Sequence, residues 1–240
     1  MTGRLHDRLA LITGASRGLG RAAALAMAAE GAHVILLART VGGLEEVDDE
    51  IQKAGGKATL VPLDLTDYAG LDRLGATIYE RWGKLDILIG NAGILGPLTP
   101  VGHISPDDWD QAIAVNVTAN YRLIRSLDPL LRRSDAGRAV FVTSGAAHKC
   151  RPYWGPYSVT KAALQALVKT WAAETMQTEL RVNLLSPGPI ATKMRAKAMP
   201  GEDPATLPQP ADVAPLFVEL ASPACMRHGD VVDFVRPVTE

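Results

Sequence analysis

Tyr157 and Lys161 stand four residues apart in GPYSVTKAAL (155–164), just behind a proline. On a helix that spacing puts a phenol and an ammonium on one face, one turn apart. Neither group is good core material. A phenol has a pKa of about 10, too high for efficient proton transfer at neutral pH. A positive charge beside it favours the phenolate and lowers that value. The pair is therefore a candidate proton-transfer unit. Ser144, in GRAVFVTSG (137–145), ends an apolar run; its hydroxyl can hold and polarise a carbonyl and stabilise charge developing on the oxygen.

A second group of residues has the chemistry of phosphate binding. TGASRGLG (13–20) follows the first apolar run, LALIT (9–13), and precedes the helical GRAAALAMAAEG (20–31). Gly14 permits a sharp turn, Gly18 permits backbone to approach a phosphate, and Gly20 lets the helix pack close to the sheet. Ser16, Arg17 and Leu19 complete the loop, whose helix N-terminus offers free N–H groups and a positive dipole end. The spacing is GxxxGxG, and no Lys-Ser/Thr follows, which argues against an NTPase loop. The second run, HVILLA (33–38), ends in Arg39 and not in the acid that would take a ribose 2′-hydroxyl. With Arg17 it offers two guanidinium groups to a 2′-phosphate, so the reading favours NADP(H) and keeps NAD(H) open; Arg39 can equally begin the next helix from solvent. Asp64, followed by Leu65, is a candidate acceptor for an adenine amino group, or a helix-capping aspartate before Thr66-Asp67.

The elements that must position these groups alternate. Buried-strand patterns at 9–13, 33–38, 58–65, 85–93, 137–145, 180–188 and 229–235 are separated by helical patterns at 20–31, 44–56, 71–83, 106–134, 155–178 and 211–222. Pro129 predicts a kink near the end of the 106–134 helix. The strands are near-continuous Val, Ile and Leu, the signature of burial on both faces. The order implies an α/β fold: one doubly wound Rossmann-type domain over 1–240, a seven-stranded, mostly parallel sheet with helices on both faces. Ligands in such sheets bind outside the carboxyl ends of the strands, where the candidate residues fall. Four prolines in MPGEDPATLPQP (199–210) exclude a regular helix there, and 193–210 is expected to be a short substrate lid.

Composition narrows the function classes. With 240 residues, 47% of them hydrophobic, the chain can bury a substantial core. The net charge of -1 gives no reason to expect a nucleic-acid partner. Basic residues form no dense run: RR at 132–133 and the scattered KMRAK at 193–197 are expected to be solvated faces. No apolar stretch is long enough for a bilayer, and charges interrupt the N-terminal segment, so neither a membrane span nor a signal peptide is expected. Two cysteines without CxxC spacing suggest reduced thiols and a cytoplasmic location. Five histidines show no paired-ligand spacing, and no metal is expected.

TGASRGLG, Asn91-Ala92-Gly93, Asn116, Ser144, Tyr157-x-x-x-Lys161 and Pro187-Gly188, in this order and spacing, resemble the short-chain dehydrogenase/reductase superfamily across roughly residues 5–235. MRAKAMPGEDP (194–204) is most similar to a bacterial subgroup of short-chain oxidoreductases. The resemblance implies hydride transfer between a nicotinamide and a carbonyl or alcohol. It makes Tyr157 the general acid/base, lets Lys161 reach the nicotinamide ribose, and makes Asn116 the holder of a water near the lysine. Pro187, Gly188, Ile190 and Thr192 correspond to the segment wrapping the nicotinamide side, and Asn91 to a brace of the sheet and cofactor edge. It also implies a homodimer or homotetramer built through the helices at 106–134 and 155–178. One departure is VVDFVRPVTE (231–240), which lacks the Asp-Gly-Gly turn common in relatives and weakens the case for a tetramer.

Other classes fit less well. VTSGAAH fails the GxSxG pattern of a serine hydrolase. A methyltransferase would not need Tyr157 and Lys161 so placed. A non-catalytic dinucleotide-binding regulator of the same fold would be favoured by loss of either, and both are present. Candidate pocket residues at strand ends are Ile94, Leu95, Ala146, Tyr153, Trp154, Pro189, Ile190 and Met194, with His148 and Cys150 at the mouth. Most are apolar, which points to a hydrophobic or mid-sized carbonyl or alcohol.

Overall fold

A computed structural model describes residues 3–235. The chain ends, including the RPVTE portion of the atypical C-terminus, lie outside the described residues. The strands are β1 (Leu9–Thr13), β2 (His33–Ala38), β3 (Lys57–Pro62), β4 (Ile87–Gly90), β5 (Arg138–Val142), β6 (Arg181–Ser186) and β7 (Val231–Asp233). They form one sheet in the order β3-β2-β1-β4-β5-β6-β7. Every neighbouring pair is parallel, so the seven-stranded, mostly parallel sheet that was expected is present and is parallel throughout. The physical reason is that each strand is reached by a crossover on one face or the other, including α9 (Pro210–Ala221) between β6 and β7.

The period-two alternation of each strand divides the core into two layers. Ala10 and Ile12 of β1 face Ala23 and Met27 of α1 (Gly18–Ala29), Val47 of α2 (Val41–Lys53) and Phe217 of α9. Leu9 and Leu11 face the other way, toward the layer of Leu71 in α3 (Tyr68–Trp82), Leu123 in α5 (Ala119–Leu131) and Leu164 in α7 (Gly155–Thr175). Both sides are therefore apolar, which is why the strands lack an alternating polar pattern.

Three departures from the sequence pattern bear on the site. The stretch expected as one helix over 106–134 is α4 (Pro106–Ile113), a π-helical segment Ala114–Thr118 and then α5. Pro129 sits inside α5 without ending it, and the helix stops at Leu131. The helix after β3 is capped by Asp67, whose carboxylate accepts from Gly70 N, and not by Asp64. The region expected as a lid holds α8 (Lys193–Ala198) and a single 3₁₀ turn at Pro204–Thr206.

The rim of the sheet opposite the strand C-termini is held by one buried carboxylate. Asp86 is fully buried. It accepts from Leu9 N at 2.9 Å, Lys84 Nζ at 2.8 Å, Ser134 Oγ at 2.6 Å and Arg8 Nη1 at 3.2 Å. Removing it would strand the buried Leu9 N–H and leave Arg8 and Lys84 only their ion pairs with Asp135, at 2.6 Å and 3.9 Å. Asp86→Ala is therefore expected to lower the unfolding free energy by about 3 kcal/mol in chemical denaturation. A loss below about 0.5 kcal/mol would show that other contacts hold this rim.

Candidate active site

The carboxyl ends of the strands open into a cleft of about 1490 Å³. Its floor near β1 is organised by Thr13. The Thr13 hydroxyl donates to Ile89 O at 3.2 Å and accepts from the N–H groups of Asn91 and Ala92, both at 3.0 Å. Asn91 returns the tie, its Nδ2 donating to Thr13 O at 2.9 Å and to Gly14 O at 3.4 Å. Asn91 thus braces β4 against the glycine loop.

The loop itself suits a phosphate. Gly14 and Gly18 have φ of 65° and 56°, a left-handed conformation that other residues adopt at a cost. A Cβ on Gly20 would collide with Gly14 O and Asn91 Nδ2, so this glycine serves packing. Around Gly18 the nearest atom to such a Cβ is Thr192 Cγ2 at 3.7 Å, so the backbone there is open to a ligand. No side chain caps the N-terminus of α1, which leaves its first N–H groups for an anion. These features fit a dinucleotide pyrophosphate. Ser16, Arg17 and Leu19 border the same end of the cleft, as do Arg39 after β2 and Asp64 and the buried Leu65 after β3. Arg39 Nη1 lies 3.6 Å from Asp64 Oδ2. The Asp64 carboxyl is held below the usual carboxylate range, first by the Thr66 backbone N–H and its hydroxyl, then by Arg39. Asp64 is therefore an Asx-turn anchor with a charged edge toward the cleft.

On the other side of β1 stand Ser144, Tyr157 and Lys161. Tyr157 is half-buried, and its phenol lies close enough to the Ser144 hydroxyl to feel it. Lys161 is buried and donates from Nζ to Val142 O at 2.7 Å. Its ammonium lies 5.7 Å from the centre of the Tyr157 ring. Burial pushes the Lys161 ammonium down to about 8, with no carboxylate to oppose it. Burial also pushes the Tyr157 phenol up, and the Ser144 hydroxyl pulls it partly back. Desolvation is thus the largest influence on the phenol.

Asn116 lies in the π-helical segment and is buried. Its amide grips the loop after β4: Oδ1 accepts from Ile94 N at 2.8 Å, and Nδ2 donates to Ile94 O at 2.9 Å and Thr160 Oγ1 at 3.0 Å. Both ends of its side chain are engaged, so by its own contacts it positions the loop. A Cβ on Gly93 would stand 3.1 Å from Asn116 Oδ1 and 3.6 Å from Lys161 Nζ, so glycine keeps this passage clear. Pro187 and Gly188 (φ 70°) line the cleft after β6. Ile190 borders the cleft but is packed into the core. Thr192 caps α8, accepting from Arg195 N at 3.2 Å.

Of the expected pocket residues, Ile94, Leu95, Ala146, Trp154, Pro189, Met194 and His148 border the cleft, whereas Tyr153 and Cys150 are exposed outside it. Sequence reasoning missed the Thr13 hydroxyl and the Val142 carbonyl; both act through positions visible only once strands pair. It also missed Lys149, Arg151, Lys193 and Lys197, which enter the cleft wall from α6 (Ala146–Lys149), the loop after it, and α8.

Residues 8–203 match the family described as short chain dehydrogenase. The chain belongs to this family. It is 39% identical over 219 residues to the uncharacterised oxidoreductase YciK of Escherichia coli (strain K12), covering 90% of this chain and 86% of that one. It is 34% identical over 206 residues to an uncharacterised NAD-dependent oxidoreductase of Mycobacterium tuberculosis (strain H37Rv), covering 80% and 74%. Among solved structures, a short chain dehydrogenase from Shigella flexneri 2a complexed with NADP matches with a TM-score of 0.93 and 37% identity, over 97% of this chain and 99% of that one. The protein is an NAD(P)-dependent short-chain oxidoreductase.

Burying an unpaired ammonium costs stability below its unfolded pKa of about 10.4. Lys161→Met is therefore expected to abolish turnover yet raise stability by up to about 2 kcal/mol at pH 7. The folded pKa of about 8 lies below the unfolded one, so the unfolded chain binds more protons between them, and the gain should shrink as pH rises through that window. Thermal melts from pH 7 to 11 check this; a destabilised variant at pH 7 would show that the Val142 hydrogen bond outweighs desolvation.

Proposed function

We propose that this short-chain oxidoreductase prefers NADP(H) and interconverts a carbonyl compound and its alcohol, with Tyr157 as general acid/base. The observation that carries the reading is the Tyr157–Ser144 hydroxyl pair beside the buried Lys161, two strand spacings from a glycine loop flanked by Arg17 and Arg39. A bound nicotinamide supplies or takes up the hydride.

The chain's own residues do the rest. The Ser144 hydroxyl donates to the substrate carbonyl oxygen and stabilises the charge that develops on it. In reduction, Tyr157 Oη gives its proton to that oxygen. Lys161 Nζ, fixed by Val142 O, keeps a positive charge within reach of the resulting phenolate. Asn116, through Ile94 and Thr160, holds the loop and helix that frame the pair. Gly14, Gly18 and the α1 N-terminus cradle the pyrophosphate, while Arg17 and Arg39 take the 2′-phosphate and Asp64 the adenine edge. Pro187, Gly188 and Thr192 border the nicotinamide side, and 193–210 acts as the lid of a single domain.

A cytoplasmic location fits two free cysteines, Cys150 and Cys225. A homodimer or homotetramer through α4, α5 and α7 is supported by Trp109, Tyr121 and Val159, large apolar side chains exposed on those helices.

Titration with NADPH and NADH, read by nicotinamide fluorescence, is expected to show tighter NADPH binding. Arg39→Asp should weaken NADPH by about tenfold or more and shift preference toward NADH. An unchanged ratio would remove Arg39 from the phosphate site. Tyr157→Phe should lower kcat by roughly a thousandfold while NADPH binding stays nearly intact. Turnover near the wild-type rate would place the proton donor elsewhere.

A further inference from the structure

The cleft has two basic ends, and the proposed cofactor accounts for one. Arg17 follows β1 and Arg39 follows β2, on the dinucleotide half of the sheet. Lys149 and Arg151 follow β5, beyond Ser144. Three strand spacings separate β2 from β5, about 14 Å. A 2′-phosphate held at Arg39 is therefore out of reach of Lys149 and Arg151. Lys193 belongs with the cofactor half, because it adjoins Thr192, which faces Gly18 across the cleft.

Lys149 and Arg151 differ from two other cations in the wall, Arg195 and Arg39, which acids engage. Arg195 is held by Glu202, with Nη2 2.6 Å from Oε1. Arg39 stands 3.6 Å from Asp64. Among the described residues, neither Lys149 nor Arg151 makes an ion pair or a side-chain hydrogen bond. The Lys149 side chain folds back toward the chemistry: its Nζ would stand 3.8 Å from a Cβ on Gly145, the residue next to Ser144. Of the acids in the wall, Asp108 is engaged by Ser105 Oγ at 2.7 Å and Asp64 by Thr66, and Asp233 ends β7, two strands from β5.

The backbone between the two cations and Tyr157 has a defined shape. Cys150 and Tyr153 have φ of 42° and 73°, a region that non-glycine residues occupy only where the surroundings hold them. Tyr153 O accepts from Thr99 N at 3.1 Å, and Trp154 N donates to Arg151 O at 3.3 Å. The cations thus sit on a tethered loop at the mouth of a cleft whose walls focus their field.

We propose that Lys149 and Arg151 recognise an anionic group, a carboxylate or a phosphate, carried by the carbonyl substrate. The inference rests on the proposed reaction at Tyr157, and it narrows the substrate class to acidic carbonyl compounds. An apolar spacer against Leu95, Trp154 and Met194 would join the carbonyl to the anion.

The test compares para-carboxybenzaldehyde, para-formylphenyl phosphate and the neutral methyl ester of the first as substrates with NADPH. At least one anion should exceed the ester in kcat/KM by about tenfold, the scale of a charge-assisted hydrogen bond. Which anion does so separates a carboxylate from a phosphate site. In Lys149→Ala/Arg151→Ala the anion-to-ester ratio should fall toward one, with NADPH affinity unchanged. An ester as good as both anions, or equal losses for all three in the variant, overturns the proposal. If NADPH binds and nothing is turned over, the Tyr157 reading fails separately. The anion site is then judged by calorimetry on the NADPH complex with para-carboxybenzyl alcohol and its amide. Tighter binding of the acid, lost in the double variant, supports it, and equal binding overturns it.

Discussion

The hydrogen bond from Lys161 Nζ to Val142 O sets the requirements that the residues around it meet. It places a primary ammonium under the cleft floor with a single carbonyl as its fixed partner. That arrangement demands space, so residue 93 is glycine, where a Cβ would crowd both the amide of Asn116 and the ammonium. It demands that the loop after β4 keep its distance, so Asn116 grips Ile94 through both backbone groups. It demands that α7 be fixed in rotation, so Thr160 bonds to Asn116 and Gln165 Nε2 to Thr143 Oγ1 at 2.9 Å. Fixing α7 in this way also fixes Tyr157, one turn from the lysine, against Ser144. Desolvation works against the charge on Lys161, and the fold retains a group that weakens it.

Sheet topology supplies the second level of organisation. The glycine loop follows β1 and Ser144 follows β5, so the two groups stand on either side of β4. The strand order reverses between β1 and β4, and a crevice opens there because the crossovers leave to opposite faces. The buried carboxylate of Asp86 ties the opposite rim to Arg8, Lys84 and Ser134, so the functional rim carries the loops while the other carries the anchors.

What the amino-acid order revealed follows from the same division. The placing of Tyr157, Lys161 and the glycine loop along one cleft was legible because each lies just after a strand or on the helix that follows one. The sheet was legible because its Val, Ile and Leu runs have no polar face. The Asn116 grip was not, because a helical asparagine carries no sign of a partner 22 residues earlier. Lys149 and Arg151 were not, because they lie in different elements from the other cleft cations and meet them only once β5 pairs with β6. Asp64 was read as a possible cap since Asx turns and helix caps use the same short carboxylate; Asp67 took the cap. Pro129 was expected to bend a helix near its end, and α5 continues past it only to Leu131.

The π-helical segment Ala114–Thr118 carries a consequence for the phase of everything after it. A wider turn absorbs one residue that a regular helix would have spent on rotation, roughly 100° of it. The helical phase of α5 is set for that extra residue: Leu123, Leu127 and Leu131 point inward, and Tyr121 and Arg125 outward. The segment is therefore a phase adjuster. It lets Asn116 answer to the loop after β4 while the leucines downstream answer to the sheet, two demands that an unbroken helix could not satisfy together. Loss of a single residue there would turn the leucine stripe out of the core by about a quarter revolution, so in this stretch the residue count is constrained as tightly as residue identity.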